Sequence, residues 1–585
     1  MTRVYGGFLI FADISMDTRF KKTLEMCDNS TVEVGTNVLY DSELIDTFSD
    51  STSILEDISK HCVFENSSIF IKEILTNFTN KRDSLWSRQE FFDRLDPRVP
   101  LLLEKARLCI DSAAWFMSER EDEVSDMLRS VFFRWNGFKR LNTYESALQL
   151  KTMYSKYVSP AIGICSPLLY FAMPLLIIRY KYGIKIPIKY YWQTLYAIST
   201  ASVNQTDSRG LRNMTLVSYG CSIFFYCQGC YNSTSNAKKT GKICDLLIGH
   251  TRKLLELFDV SNTLTNTLKA NPYYELTHEL TPTVNRSQNM VGGWLHAFMK
   301  LDAKQDAIHN ALNTIYAADA FNAIKKFIVS NHLNKASFDF HAKVPRYNFK
   351  GSWHVSIPFD KAVKNDSSNS VSKRNCIITG PNAAGKSTYV KSILVNVLLS
   401  QSIGYCASES AELTPFDYIG SQISIPDCKG KESLFEAEMY RSKENMSYIQ
   451  DHPESKCIVF LDEIFNSTNP LEGLSGSHSI VNNLGKSTNA VVILTTHYDF
   501  ICELNRDRYS LFKFECEMKG NEIIYNYMVR EGVSNQFIAL DILRINGFDL
   551  AVINEAQRLK RILLSTGTYP SDEWKRTSQK TGKRS

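Results

Sequence analysis

Apolar residues recur mostly at helical spacing before about residue 345 and gather into short continuous runs after it. Ile69, Ile71, Ile74, Leu75 and Phe78 lead into a stretch, Arg82 to Leu95, in which Leu85, Trp86, Phe91, Phe92 and Leu95 share one helical face. Further helices are expected over 100–118 and 122–135, and two longer ones over about 243–269 and 295–330, separated by the Pro- and Asn-containing segment 271–291. The first 60 residues are polar and mixed and predict no fold of their own. Later in the chain, Cys376–Thr379, Cys457–Leu461 and Val491–Thr496 read as buried strands, and Tyr389 to Ser400 carries Val390, Ile393, Leu394, Val397 and Leu398 at helical spacing. Two polar stretches, 232–242 (NSTSNAKKTGK) and the Asn/Ser-rich 364–372, read as surface loops. The last folded segment, 529–563, ends in a helix carrying Ala556, Leu559, Ile562 and Leu563.

One segment fits neither regime. Residues 157–178 hold no charge, with Lys151 and Lys156 before them and Arg179, Lys181, Lys185 and Lys189 after them. That length reaches into or across a bilayer, but Pro160, Pro167 and Pro174 should break it into short pieces, and positive charge on both flanks sets no orientation. A buried bend between core helices accounts for the same residues and is the favoured reading, with membrane contact through 157–178 as the alternative. The aromatic clusters Tyr190-Tyr191-Trp192 and Phe224-Phe225-Tyr226 have the chemistry to stack on bases, yet at this density they fit a helix core better. Cys221, Cys227, Cys230 and Cys244 include a C-x-x-C of the kind that holds Zn²⁺, but their spacings are irregular, and reduced, partly buried thiols are expected.

Composition narrows the class. A chain of 585 residues, 44% hydrophobic and 22% charged, should hold several folded domains. Its net charge of +5 permits nucleic-acid binding without arguing for it. Fourteen thinly spread cysteines, and no charged-then-apolar segment at Met1-Thr2-Arg3, point to a reducing intracellular compartment.

The chemistry concentrates at 376–388. The strand-like run ending at Thr379 feeds into Gly380-Pro381-Asn382-Ala383-Ala384-Gly385-Lys386-Ser387-Thr388, which fits the phosphate-binding pattern G-x-x-x-x-G-K-[ST] in its required strand–loop–helix context. Gly380 and Gly385 let the backbone curl so that its N–H groups face phosphates, and the helix that follows adds its positive end. In that role Lys386 neutralises β/γ charge and Ser387 holds Mg²⁺. A second apolar strand ends in Asp462-Glu463, one carboxylate for Mg²⁺ and one to polarise water; a third ends in His497, placed to sense the γ-phosphate. ATP and Mg²⁺ are therefore the expected ligands.

These stretches, GPNAAGKSTY (380–389), LSQSIGYCASESAELTPFDYI (399–419), SLFEAEM (433–439), FLDEIFNSTNPLEG (460–473) and TTHY (495–498), resemble in order and spacing the ATPase domain of the MutS family, the mismatch-repair relatives of ABC ATPases. The resemblance covers about 350–560 and implies an ATPase whose nucleotides are sandwiched between two subunits, with Ser433 approaching the partner's γ-phosphate and Asn469 at the same interface. It also implies that 529–564 is a helix-turn-helix dimerisation element. Three features depart from the family's pattern. Ala383-Ala384 replace Met-Gly, FNSTNPLEG lacks the usual Arg after the paired acids, and SWHVSI (352–357) replaces an Arg-His-Pro pattern. No Phe-x-Glu mismatch-reading element is found near the start, which implies a short member without that domain, and the Pro-interrupted apolar run 157–178 resembles those of the MutS-like proteins of large DNA viruses.

The expected architecture is multidomain: a segment of unclear fold (1–60), a mainly α core and lever region (61–345), an α/β P-loop ATPase domain (346–528), the helical dimerisation element (529–564) and a basic tail (565–585). The expected function is an ATP-dependent clamp on mismatched or branched DNA, in repair or recombination, working as a homodimer or with a MutS-like partner, in the nucleus or a cytoplasmic viral factory. The alternative is a membrane- or particle-associated ATPase that does not act on mismatches.

Overall fold

The computed structural model describes residues 26–27, 29–47, 52–118, 128, 130–204, 209–276, 290–370, 372–423, 434–520, 522–536 and 538–566. The chain forms two compact units. One takes Leu101–Thr267 and Leu276–Ile315; the other takes Glu25–Pro100, Leu268–Glu275 and everything from Tyr316 onward. This differs from the linear partition expected above, because Glu25–Pro100 joins the C-terminal unit through strand pairing and buried polar contacts.

That unit is built on a seven-stranded sheet whose strands are β1 (Glu33–Val34), β2 (Asn375–Thr379), β3 (Tyr418–Gln422), β4 (Cys457–Asp462), β5 (Ala490–Thr495), β6 (Tyr509–Lys513) and β7 (Arg530–Glu531). Their order across the sheet is β1-β3-β4-β5-β2-β6-β7. All neighbours are parallel except β6 and β7. Parallel strands are covered on both faces, which is why β2, β4 and β5 read as unbroken apolar runs. Val459, Leu461, Val492 and Leu494 are at most 1% exposed, packed with Val481 and Ile501 from flanking helices. The register sets Thr495 opposite Asp462 and beside Ile378, so the carboxyl ends of β4, β5 and β2 finish together. In an open α/β sheet that edge is where ligands bind.

The polar first 60 residues supply the edge strand β1, which pairs Glu33 with Tyr418 and Val34 with Ile419. The expected stretch Arg82–Leu95 forms the helix Arg82–Asp93, whose Arg88 is fully buried and donates to the last carbonyls of the helix Lys386–Ser402. A second, five-stranded sheet contains Asn365–Ser368, which sequence patterning reads as a loop. The difference has a polar cause: the Asn365 amide donates to Tyr527 O and accepts from Val529 N, so this strand buries hydrogen-bonding groups in place of apolar ones.

The other unit is helical. Its longest element, Arg209–Thr267, runs 59 residues, and Ile110–Met117, Glu145–Met153, Ser159–Lys181 and Val291–Asp302 also belong to it. Trp115 stacks on His250 at 4.4 Å, and Phe116 packs on Phe298. Half of the expected helix over 122–135 lies outside the described residues, and 132–135 are not helical.

Several expectations are corrected here. Residues 232–242 are not a loop but the middle of the long helix, where Gly163 and Ser233, and Gly241 and Lys156, give two helices room for close approach. Tertiary packing overrides the weak local propensity. Ser159–Lys181 is one continuous helix, not a set of pieces, and Ile162, Ile164, Met173 and Ile177 on it are exposed, so it is not a buried bend. Among the described residues no helix is long and apolar enough to cross a membrane. Phe224 and Phe225, read as core, are likewise exposed. Cys221, Cys227, Cys230 and Cys244 all lie on the long helix, where the 14-position separation of the last two spans about 21 Å, too far to share one ion.

Candidate nucleotide site

The loop after β2 curls as its residue types allow. Gly385 has φ +99°, and a Cβ there would sit 3.1 Å from the Tyr527 ring; Ala383 also takes a left-handed φ of +64°, uncommon for a residue with a side chain. The helix Lys386–Ser402 begins at once, so its free N–H groups and dipole end face the same space. Asn382, Ala383, Gly385, Lys386, Ser387 and Thr388 line a cavity of about 740 Å³, together with Asp462 and Glu463 from the end of β4. Gly380, Pro381 and Ala384 are buried behind it, and Pro381 O accepts from Lys386 Nζ at 3.2 Å.

The charged groups converge. Lys386, 4% exposed, places Nζ 3.3 Å from Glu463 Oε1, and His497 Nε2 lies 2.6 Å from the same oxygen. Burial pushes the Glu463 carboxyl up, but the hydrogen bond and charge of His497 and the charge of Lys386 outweigh it and hold the group below its ordinary range. Asp462 goes the other way. Burial, with the Glu463 charge beside it, holds its carboxyl above the ordinary range despite hydrogen bonds from the Thr495 and Ser387 hydroxyls and the charge of Lys386. The backbone at the pair is unusual: Glu463 has φ +50° and Phe465 φ +61°, and Glu463 N is tied to Thr495 O and Oγ1.

The residues fit the expected ligands. A buried ammonium beside free loop amides suits a polyphosphate, and a hydroxyl joined to a carboxylate, Ser387 with Asp462, suits Mg²⁺, which takes few protein oxygens and completes its shell from phosphate and water. The sheet register thus brings Lys386, Ser387, Asp462, Glu463 and His497 together. Ser433 lies outside the described residues. Asn469 caps the helix Pro470–Leu484, its side chain accepting from Leu471 N at 3.0 Å.

Sequence reasoning missed part of the wall. Trp353 and His354, within the departing SWHVSI stretch, and Phe514 and Tyr527 all line the cavity. Burial lowers the His354 pKa to about 4, so its ring is neutral at physiological pH, with Nδ1 accepting from Ser356 N. No local signal links Tyr527 to a loop more than 140 positions earlier.

Comparison with known proteins agrees with this geometry. Residues 376–563 match the family model described as MutS domain V. The chain is 26% identical over 210 residues to the DNA mismatch repair protein MutS of Fusobacterium nucleatum, covering 35% of this chain and 23% of that protein. It is 30% identical over 191 residues to that of Acetivibrio thermocellus, covering 32% and 21%, and 26% identical over 274 residues to that of Clostridium perfringens, covering 45% and 28%. The chain therefore spans between about a fifth and just over a quarter of the length of these relatives. The phosphate loop, the paired acids and His497 all fall inside the segment, 376–563, that is similar to MutS domain V.

Proposed function

We propose that the chain hydrolyses ATP at this site, as one half of a dimer, and uses the cycle to close and release a grip on mismatched or branched DNA. The observation that carries the reading is Glu463 held between Lys386 and His497, beside the Ser387–Asp462 pair, at the carboxyl edge of a parallel sheet. Lys386 and the loop amides bind the phosphates, and Ser387 and Asp462 hold Mg²⁺, which when bound screens phosphate charge. Glu463 orients the attacking water, and His497 steadies Glu463 and reports whether a γ-phosphate is in place. Ser433 and Asn469 face the partner's nucleotide, and 529–564 holds the dimer together. These last assignments rest on the MutS resemblance.

Charge distribution supports a polyanionic partner. Between Glu145 and Asp245 the sequence holds eleven Lys and Arg and a single acid, Asp207. A basic helical arm of this kind binds phosphates and releases counterions. The chain would then act wherever the DNA is, in a nucleus or a viral factory.

The test is the ATPase rate of purified protein on homoduplex, mismatched, branched and single-stranded DNA, with Lys386→Ala as the blank. One DNA form should change the rate several-fold while the blank stays silent, and binding should weaken steeply with salt. Turnover indifferent to every DNA would remove the clamp and leave only the ATPase.

A further inference from the structure

We infer that Asn466 is a positioning residue that turns one chosen oxygen of Glu463 toward the nucleophilic water; this rests on the ATPase reading above. A carboxylate oxygen has two acceptor directions. Among the described residues, both at Oε1 are used, by Lys386 Nζ at 3.3 Å and His497 Nε2 at 2.6 Å. Oε2 accepts from Asn466 Nδ2 at 3.0 Å, which leaves one direction open. Oε1 is thus spent on cationic and ring N–H donors. Oε2 is the oxygen able to accept a proton from water, and Asn466 sets which way its remaining lone pair points.

The loop that carries Asn466 is pinned so that this geometry holds. Phe465, one residue before it, is left-handed at φ +61°, and Ser477 Oγ donates to Ile464 O at 2.8 Å. A Cβ at Gly473 would come within 2.4 Å of Phe465 O, so the helix Pro470–Leu484 presses against the loop backbone. Asn466 itself is exposed and touches the reaction only through Glu463. It stands in the stretch where this chain lacks the Arg of the family's pattern. A neutral amide there donates to Glu463 Oε2 without adding a further cation beside a carboxylate already held by Lys386 and His497.

Steady-state ATP turnover of the full chain and of Asn466→Ala, Asn466→Asp, Asn466→Gln and Lys386→Ala tests the inference, alongside affinity for a fluorescent ATP analogue measured in EDTA. Asn466→Ala should lower kcat about tenfold, the scale of a misdirected base, with KM and analogue affinity within about twofold of the parent. Asn466→Asp, of equal size but with an oxygen facing Oε2, should fall further, and Asn466→Gln, which restores the donor, should recover part of the loss. Parental kcat in Asn466→Ala, or a loss matched by equal loss of analogue affinity, would overturn the inference while leaving the ATPase intact. A parent no faster than Lys386→Ala would remove both readings together.

Discussion

Replacing Arg88 by methionine tests what joins the N-terminal segment to the nucleotide-binding unit. Arg88 is 1% exposed, and its NH1 donates to Asn77 O at 2.6 Å, Ser402 O at 2.9 Å and Gln401 O at 3.2 Å, while NH2 donates to Asn77 Oδ1 at 2.7 Å. The guanidinium also sits 4.9 Å from the centre of the Tyr273 ring. Methionine keeps the apolar stem and deletes the fork. Ser402 O retains the Tyr273 hydroxyl at 2.9 Å and Gln401 O retains Thr79 N at 3.0 Å, so the two helix-end carbonyls stay paired. The cost is the loss of the two charge-assisted hydrogen bonds to Asn77, at about 1.5–3 kcal/mol each, plus about 0.5 kcal/mol for losing a cation at a helix C-terminus. Methionine needs no charge desolvated, which offsets part of this and leaves a net loss of about 3 kcal/mol. At about 1–2 °C per kcal/mol for a unit of this size, calorimetry should show its transition fall by about 4 °C. Analogue binding below the transition should be unchanged. A variant melting with the parent would refute the idea that this fork clamps the phosphate-loop helix.

Two further outcomes follow from packing and titration. A Cβ at Gly292 would lie 2.2 Å from Glu145 O and 2.5 Å from Gln149 N, so Gly292→Ala must separate two helices and should destabilise the helical unit by about 3 kcal/mol in urea unfolding. Gly249, with open space around it in the long helix, is the control: Gly249→Ala should stabilise by about 0.5–1 kcal/mol. His354 titrates near 4 in the fold and near 6.5 once unfolded. Below pH 6.5 the unfolded chain therefore binds a proton that the folded one refuses. Stability present above that pH should be lost as pH falls from 6.5 to 4, by about 3 kcal/mol at the limit, and His354→Gln should flatten the slope.

Local chemistry made the nucleotide half legible. A phosphate loop needs Gly, Lys and Ser at fixed offsets, and strands covered on both faces need continuous apolar runs, so Gly380 to Thr388, β2, β4, β5 and the paired acids Asp462 and Glu463 all stood in the sequence. The expectation that His497 joins them also came from its place at a strand end. Polar pairing left no such trace. The edge strand β1, the buried fork of Arg88 and the Asn365–Ser368 strand are held by backbone and amide hydrogen bonds between residues up to several hundred positions apart, and apolar periodicity cannot register them. The long helix was missed for the converse reason: NSTSNAKKTGK has loop composition, but small residues at Gly163, Ser233 and Gly241 are what close helix packing requires. Sequence alone determined which groups could meet a phosphate, because that chemistry is written within a few neighbouring residues. Only the tertiary structure decided that Asn466 and Tyr527 stand beside them and that Glu25–Pro100 completes the same unit, because those placements depend on register and on partners far away in the chain.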